Sequence, residues 1–274
     1  MLRTVARTGR SFGRRATSAA RTLPDFVVIG TQKGGTTSLY DHLTQHPRVR
    51  RALGKGVHYF DEHHDRGLDW YRSQFPMAFG RDSDTAWLTG EASPDYMFLP
   101  AVPARMARAV PGVKLIAVLR NPVDRAASHH AHERSKGREP LELEQALERE
   151  ASRLERELLR ADEDHSYDSV TLRRYSYKAR GRYAEQLERW LAAFPRDQVL
   201  VVSSEQLYAD PRAVTADVLA FLGLPAHPGT TYRQLNARSY TAVPEHLRQR
   251  LLAEFRPHNE RLFELLDTEF PWDD

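Results

Sequence analysis

Asp25-Phe26-Val27-Val28-Ile29-Gly30-Thr31-Gln32-Lys33-Gly34-Gly35-Thr36-Thr37-Ser38 runs from a continuous apolar, largely β-branched segment into a glycine-bearing turn, then into hydroxyl residues that open a helix. Four apolar residues without alternation predict a strand buried on both faces, Phe26 to Ile29, stopping at Gly30. The helix reads from Thr36 to His46 and ends before Pro47. Glycines between such a strand and such a helix let backbone amides converge at the helix's positive end, so the turn is an anion cradle. Against the nucleotide-triphosphatase pattern G-x-x-x-x-G-K-[ST], Gly30 and Gly35 match, Thr36 stands where the lysine belongs, and the lysine sits three residues earlier at Lys33.

Lys114 to Leu119 and Gln198 to Ser203 give two further strands. Helices are expected from about Val123 to Arg134, in the charge-dense stretch Glu139 to Asp164, and over Tyr183 to Phe194, Pro211 to Leu222 and Pro244 to Leu266. Strands alternating with helices of this length define an α/β class: a doubly wound, mainly parallel sheet flanked by helices. No Gly/Ser-rich linker divides residues 25–274, which read as a single domain. Ligands of such sheets sit beyond the carboxyl ends of the strands. Neither later strand ends in the aspartate that would hold magnesium: one runs into Arg120, the other into Ser204 and Glu205.

At 274 residues the chain can bury a sizeable core, and its lack of cysteine excludes disulfides, thiolate nucleophiles, zinc-thiolate sites and iron–sulfur clusters. The formal net charge is +3, but Arg3, Arg7, Arg10, Arg14, Arg15 and Arg21 lie in an acid-free lead, leaving 34 bases against 37 acids in the body. That balance argues against a diffuse nucleic-acid surface. Residues 1–24 are expected to be a poorly ordered basic lead or a short amphipathic helix, with an organelle-targeting segment as the alternative. No run approaches the roughly 18 apolar residues of a membrane span, so no transmembrane segment and a cytoplasmic location are expected.

A second loop, Arg120-Asn121-Pro122-Val123-Asp124-Arg125-Ala126-Ala127-Ser128, places an arginine at a strand end and a serine inside the next helix, a pair suited to clamping a separate phosphate. Two anion sites suggest a nucleoside with phosphates at both ends. Gln32 to Leu39, Lys55-Gly56-Val57-His58-Tyr59-Phe60-Asp61, Leu119 through Ser128, and Arg180-Gly181-Arg182-Tyr183-Ala184-Glu185-Gln186-Leu187 with Trp190 together resemble the heparan-sulfate-type branch of the sulfotransferase family. Agreement of four separated blocks, in order from Asp25 to the C-terminus, is far more specific than any one motif.

The resemblance implies a P-loop-like fold and the co-substrate 3′-phosphoadenosine 5′-phosphosulfate, PAPS, with no metal. It implies that Lys33 steadies the oxygen left behind, that Gly34, Gly35, Thr36, Thr37 and Ser38 hold the 5′-phosphate, and that Arg120 and Ser128 hold the 3′-phosphate. Two departures stand out. Gly56 occupies the position of the glutamate that is the family's usual base, so His58, His132 (matching a functional histidine of the N-sulfotransferase members) and Glu91 are the candidate replacements. The family's Lys-Gly-Arg nucleotide loop is missing, and Arg238 is the candidate in its stead. His63, His64, His129 and His130 are expected to face solvent or pack rather than hold metal. The aromatics Trp70, Tyr71, Phe75 and Tyr96 fit either an acceptor cleft or the core.

The expected activity is therefore sulfuryl transfer by in-line displacement to a hydroxyl or amine, on a carbohydrate or glycosylated small molecule. The partners are the nucleotide donor and that acceptor. The alternatives are a P-loop small-molecule kinase using magnesium-ATP and a non-catalytic nucleotide-binding relative.

Overall fold

The all-apolar segment does form a strand, β1 (Phe26–Gly30), and every residue of it is buried. Its side chains alternate between two cores. Val27 and Ile29 pack with Leu115, Ala117, Leu119, Leu187 and Trp190 on one face, while Phe26 and Val28 pack with Leu39, Leu43, Ile116, Val118 and Val218 on the other. A strand covered on both sides has no wet face, which is why its sequence shows no alternation.

In this computed structural model, which describes residues 13–79, 81, 86–164, 167, 169–235 and 242–272, the elements continue as α1 (Thr36–Leu43), β2 (Val49–Arg51), α2 (Leu68–Ser73), β3 (Leu88–Ala92), α3 (Val102–Ala109), β4 (Lys114–Leu119) and α4 (Pro122–Ser135). They are followed by α5 (Leu143–Glu163), α6 (Val170–Tyr175), α7 (Tyr183–Ala193), β5 (Val199–Ser203), α8 (Ser204–Ala209), α9 (Pro211–Phe221) and α10 (Glu245–Leu266). The five strands form one sheet in the order β2-β3-β1-β4-β5, every pairing parallel. The expected helices after β1 and β4, and those of the C-terminal half, lie within a few residues of their expected bounds.

Strands β2 and β3 and the short helices α2, α3, α6 and α8 were not expected. Strand β3, Leu-Thr-Gly-Glu-Ala, buries Thr89 and Glu91 completely. A buried strand with polar side chains carries no hydrophobic signature, because hydrogen bonds rather than apolar area satisfy its interior.

Residues 13–24 of the basic lead are attached to the body. Arg14 donates from Nε to the Ser73 carbonyl at 2.6 Å and from Nη2 to the Phe75 carbonyl at 2.7 Å, and Arg21 Nη1 donates to Phe75 at 2.9 Å. These carbonyls close the C-terminal end of α2, the negative end of its dipole, where arginine is the favoured partner. The amides of Thr22 and Ala78 complete the attachment by donating to Pro76 and Ala20.

Candidate active site

The sheet order places β1 directly beside β4, so the loops that leave their carboxyl ends meet. Thr31 N donates to the Val118 carbonyl at 2.8 Å, and Arg120 Nη1 donates to the Lys33 carbonyl at 3.3 Å. Within the first loop Lys33 and Gly35 both take left-handed backbone angles, φ +73° and +101°, and Gly35 caps the start of α1. The second loop is set by Asn121, whose Oδ1 accepts from Val123 N at 2.9 Å and caps α4, with Pro122 at the first helical position. Glu205 fixes that corner by accepting from Asn121 N at 2.8 Å, and Tyr183 donates to the Arg120 carbonyl.

A cleft of about 410 Å³ opens between the loops. Lys33, Gly35, Thr36 and Thr37 line it from the first loop, Arg120, Ser128 and His132 from the second loop and α4, and Lys55 and Pro94 from the segments after β2 and β3. Tyr208, Gln234 and Leu235 complete the wall. Gly34 and Ser38 stand behind it. A Cβ on Gly34 would lie 2.4 Å from the Val118 carbonyl, and Ser38, itself buried, accepts from Leu235 N at 2.9 Å. Arg238 lies outside the described residues.

Of the three candidate bases, His132 alone lines the cleft; its Nε2 is 3.9 Å from Glu133. Glu91 is fully buried, and its carboxylate is already engaged: Tyr71 Oη donates at 2.9 Å, Ser93 Oγ at 2.6 Å, Tyr96 Oη at 3.1 Å and Val57 N at 3.1 Å. Burial raises its pKa against the lowering effect of these donors. Glu91 thereby shapes the 55–61 segment, because Ser93 Oγ accepts from His58 N and Tyr96 Oη from Tyr59 N. Tyr71, Phe75 and Tyr96 belong to the core.

His58 is held from the other side. Its Nδ1 lies 2.9 Å from Oδ2 of Asp61, whose side chain is buried, and 3.9 Å from Glu62. Burial would lower its pKa, but the hydrogen bond and charge of Asp61, with Asp95 and Glu62 beyond, raise it to about 9, so the ring is an imidazolium at neutral pH. Gly56 takes φ +75°, a backbone angle strained for any residue with a side chain, and a Cβ there would stand a tight 3.1 Å from His58 Nε2, so the family's glutamate is disfavoured in this conformation.

His63 and His64 edge against Trp70 and Tyr59, while His129 and His130 pack on Tyr177. The one group among the described residues whose donor atoms lie close enough for a metal is His58, Asp61 and Glu62, where a hydrogen bond already joins the first two. Sequence reasoning missed Lys55 and Tyr208 as cleft residues. Lys55 was legible as part of a motif but had no assigned role, and Tyr208 follows a strand whose loop shows no motif.

Residues 23–249 match the family model described as the sulfotransferase domain. The chain is 32% identical over 277 residues to heparan sulfate glucosamine 3-O-sulfotransferase 6 of Mus musculus, covering 92% of this chain and 75% of that protein. It is 35% identical over 211 residues to the bifunctional heparan sulfate N-deacetylase/N-sulfotransferase 4 of Mus musculus, covering 75% of this chain and 23% of that one. Among solved structures it is similar to a sulfotransferase from Alicyclobacillus acidocaldarius, with a TM-score of 0.75 and 30% identity over 92% of this chain and all of that one.

Proposed function

The chain belongs to the sulfotransferase domain family, and on that footing we propose that it moves a sulfuryl group from PAPS to a hydroxyl or amine of a carbohydrate or glycosylated small molecule. One observation carries the donor assignment: the two loops suited to anions leave adjacent parallel strands and share a single cleft. In this reading Arg120 and Ser128 hold the 3′-phosphate, while the amides and hydroxyls from Gly34 to Ser38 receive the 5′-phosphate at the positive end of α1. The carbohydrate acceptor rests on the heparan sulfate enzymes to which the chain is similar.

PAPS supplies a sulfuryl group on a good leaving group, so the protein's work is positioning and charge stabilisation. Lys33 directs its ammonium at the bridging oxygen, where charge accumulates only as the bond to sulfur breaks. His132 takes the proton of the attacking hydroxyl or amine, as the one candidate base that lines the cleft. Glu91 is a positioning residue that holds the 55–61 segment, and His58, an imidazolium paired with Asp61, does the same from within that segment.

A kinase reading needs a carboxylate at a strand end to hold magnesium. Strand β3 does carry Glu91 at that end, but its oxygens are filled by Tyr71, Ser93, Tyr96 and Val57. Incubation with 35S-labelled PAPS and a panel of oligosaccharides, glycosides and phenols tests the proposal. Label transferred to a sugar is the expected result; binding of magnesium-ATP in preference to adenosine 3′,5′-bisphosphate rejects it.

A further inference from the structure

Lys55 stands apart among the cations of the cleft. It lines the same cavity as Lys33, Arg120 and Ser128, yet forms no hydrogen bond or ion pair with any described residue. The order of strands says which end of the donor it faces. Arg120 follows β4, Lys33 follows β1, and Lys55 and Pro94 follow β2 and β3, so the sheet order β2-β3-β1-β4-β5 lays these groups across its carboxyl edge in one sequence. A nucleotide with its 3′-phosphate at Arg120 and its 5′-phosphate at Lys33 then carries its remaining group onward, to the side of Lys55.

We propose that the Lys55 ammonium binds the transferable sulfuryl end of the donor. The inference rests on the donor reading above and extends it to a residue with no assigned role. Charge supports it. Lys55 keeps an exposed surface, yet the protein atoms crowding it lower its pKa to about 8, against the raising influence of Asp95 and Glu91. Lys33, Arg120, His132 and the His58 imidazolium are the basic groups around it in the cleft and on its own segment, and none of them favours a further positive charge. A polyanion entering the cleft reverses that field, so the free amine takes up a proton. At pH 8 about half a proton per donor is the expected uptake.

Calorimetry of the whole chain with PAPS and with adenosine 3′,5′-bisphosphate, at pH 8 in two buffers of different ionisation enthalpy, reads both affinity and proton uptake. Lys55→Gln is expected to weaken PAPS about tenfold or more, the worth of one charge-assisted bond, while leaving adenosine 3′,5′-bisphosphate within about twofold. That retained binding also reports that the variant is folded. Lys55→Arg, charged at every pH used, is expected to restore PAPS affinity and abolish the uptake. Unchanged PAPS affinity in Lys55→Gln, an equal loss of both nucleotides, or undiminished uptake in Lys55→Arg overturns the inference while the donor reading stands. Failure of the unsubstituted protein to bind either nucleotide overturns both.

Discussion

Lys33 combines two properties that sequence alone shows separately: it is one of only five lysines against thirty-five arginines, and its backbone is left-handed, at φ +73°. A compact ammonium on a flexible stem suits a site where charge appears on a single oxygen, whereas a guanidinium fork suits a phosphate such as the one assigned to Arg120. Lys33→Ala is expected to lower kcat by a hundredfold or more, by loss of one transition-state contact, while Arg120→Ala acts chiefly on donor affinity; initial rates across donor concentrations separate the two effects. At Gly35, φ +101° and a Cβ position 2.9 Å from Tyr208 Oη leave little tolerance for a side chain. Gly35→Ala is expected to cost about 1–2 kcal/mol in urea denaturation. His58 gives a pH dependence with a definite sign. Its folded pKa, about 9, exceeds the ordinary 6.5, so the stability it contributes is complete below about pH 6.5 and is lost as pH rises through about 9. Asp61→Asn is expected to lower the His58 proton resonance midpoint in an NMR titration toward 6.5, because burial is then opposed only by the more distant Asp95 and Glu62.

Among the elements, α4 shows how a local signal becomes a site. Asn121 and Pro122 are a legible helix start, and the capped helix then carries Ser128 and His132, four residues apart on one face, into the cleft. Asn121 also binds outward, from Nδ2 to the Trp272 carbonyl at 3.2 Å, so the C-terminal segment braces the same corner. Asn121→Ala is expected to destabilise the protein by about 1 kcal/mol through the lost cap, read from the urea midpoint. Strand β3 teaches the opposite lesson. Its Glu91 reads in sequence as a free carboxylate able to serve as a base, and only the tyrosines arriving from α2 and from the turn after β3 show that its oxygens are spoken for. Residues 71 and 96 are too far from one another in sequence for any motif to pair them.

For the whole molecule, no helix among the described residues is long and apolar enough to cross a membrane. The lead is tied to the body by arginines at the end of α2. Sequence alone determined the α/β class, the three strands of high apolar content, the long helices and the two loops that meet at the cleft, since each is written in neighbouring residues: a continuous apolar run, a glycine turn, a cap. It also determined, through the four ordered blocks, the family that the comparison with known proteins shows. Tertiary structure alone decided the strand order, the position of β2 and β3, the enclosure of Glu91 and the entry of Lys55 and Tyr208 into the cleft. Those depend on which distant segments the sheet brings side by side, and a polar residue's role follows from the partners that burial leaves it.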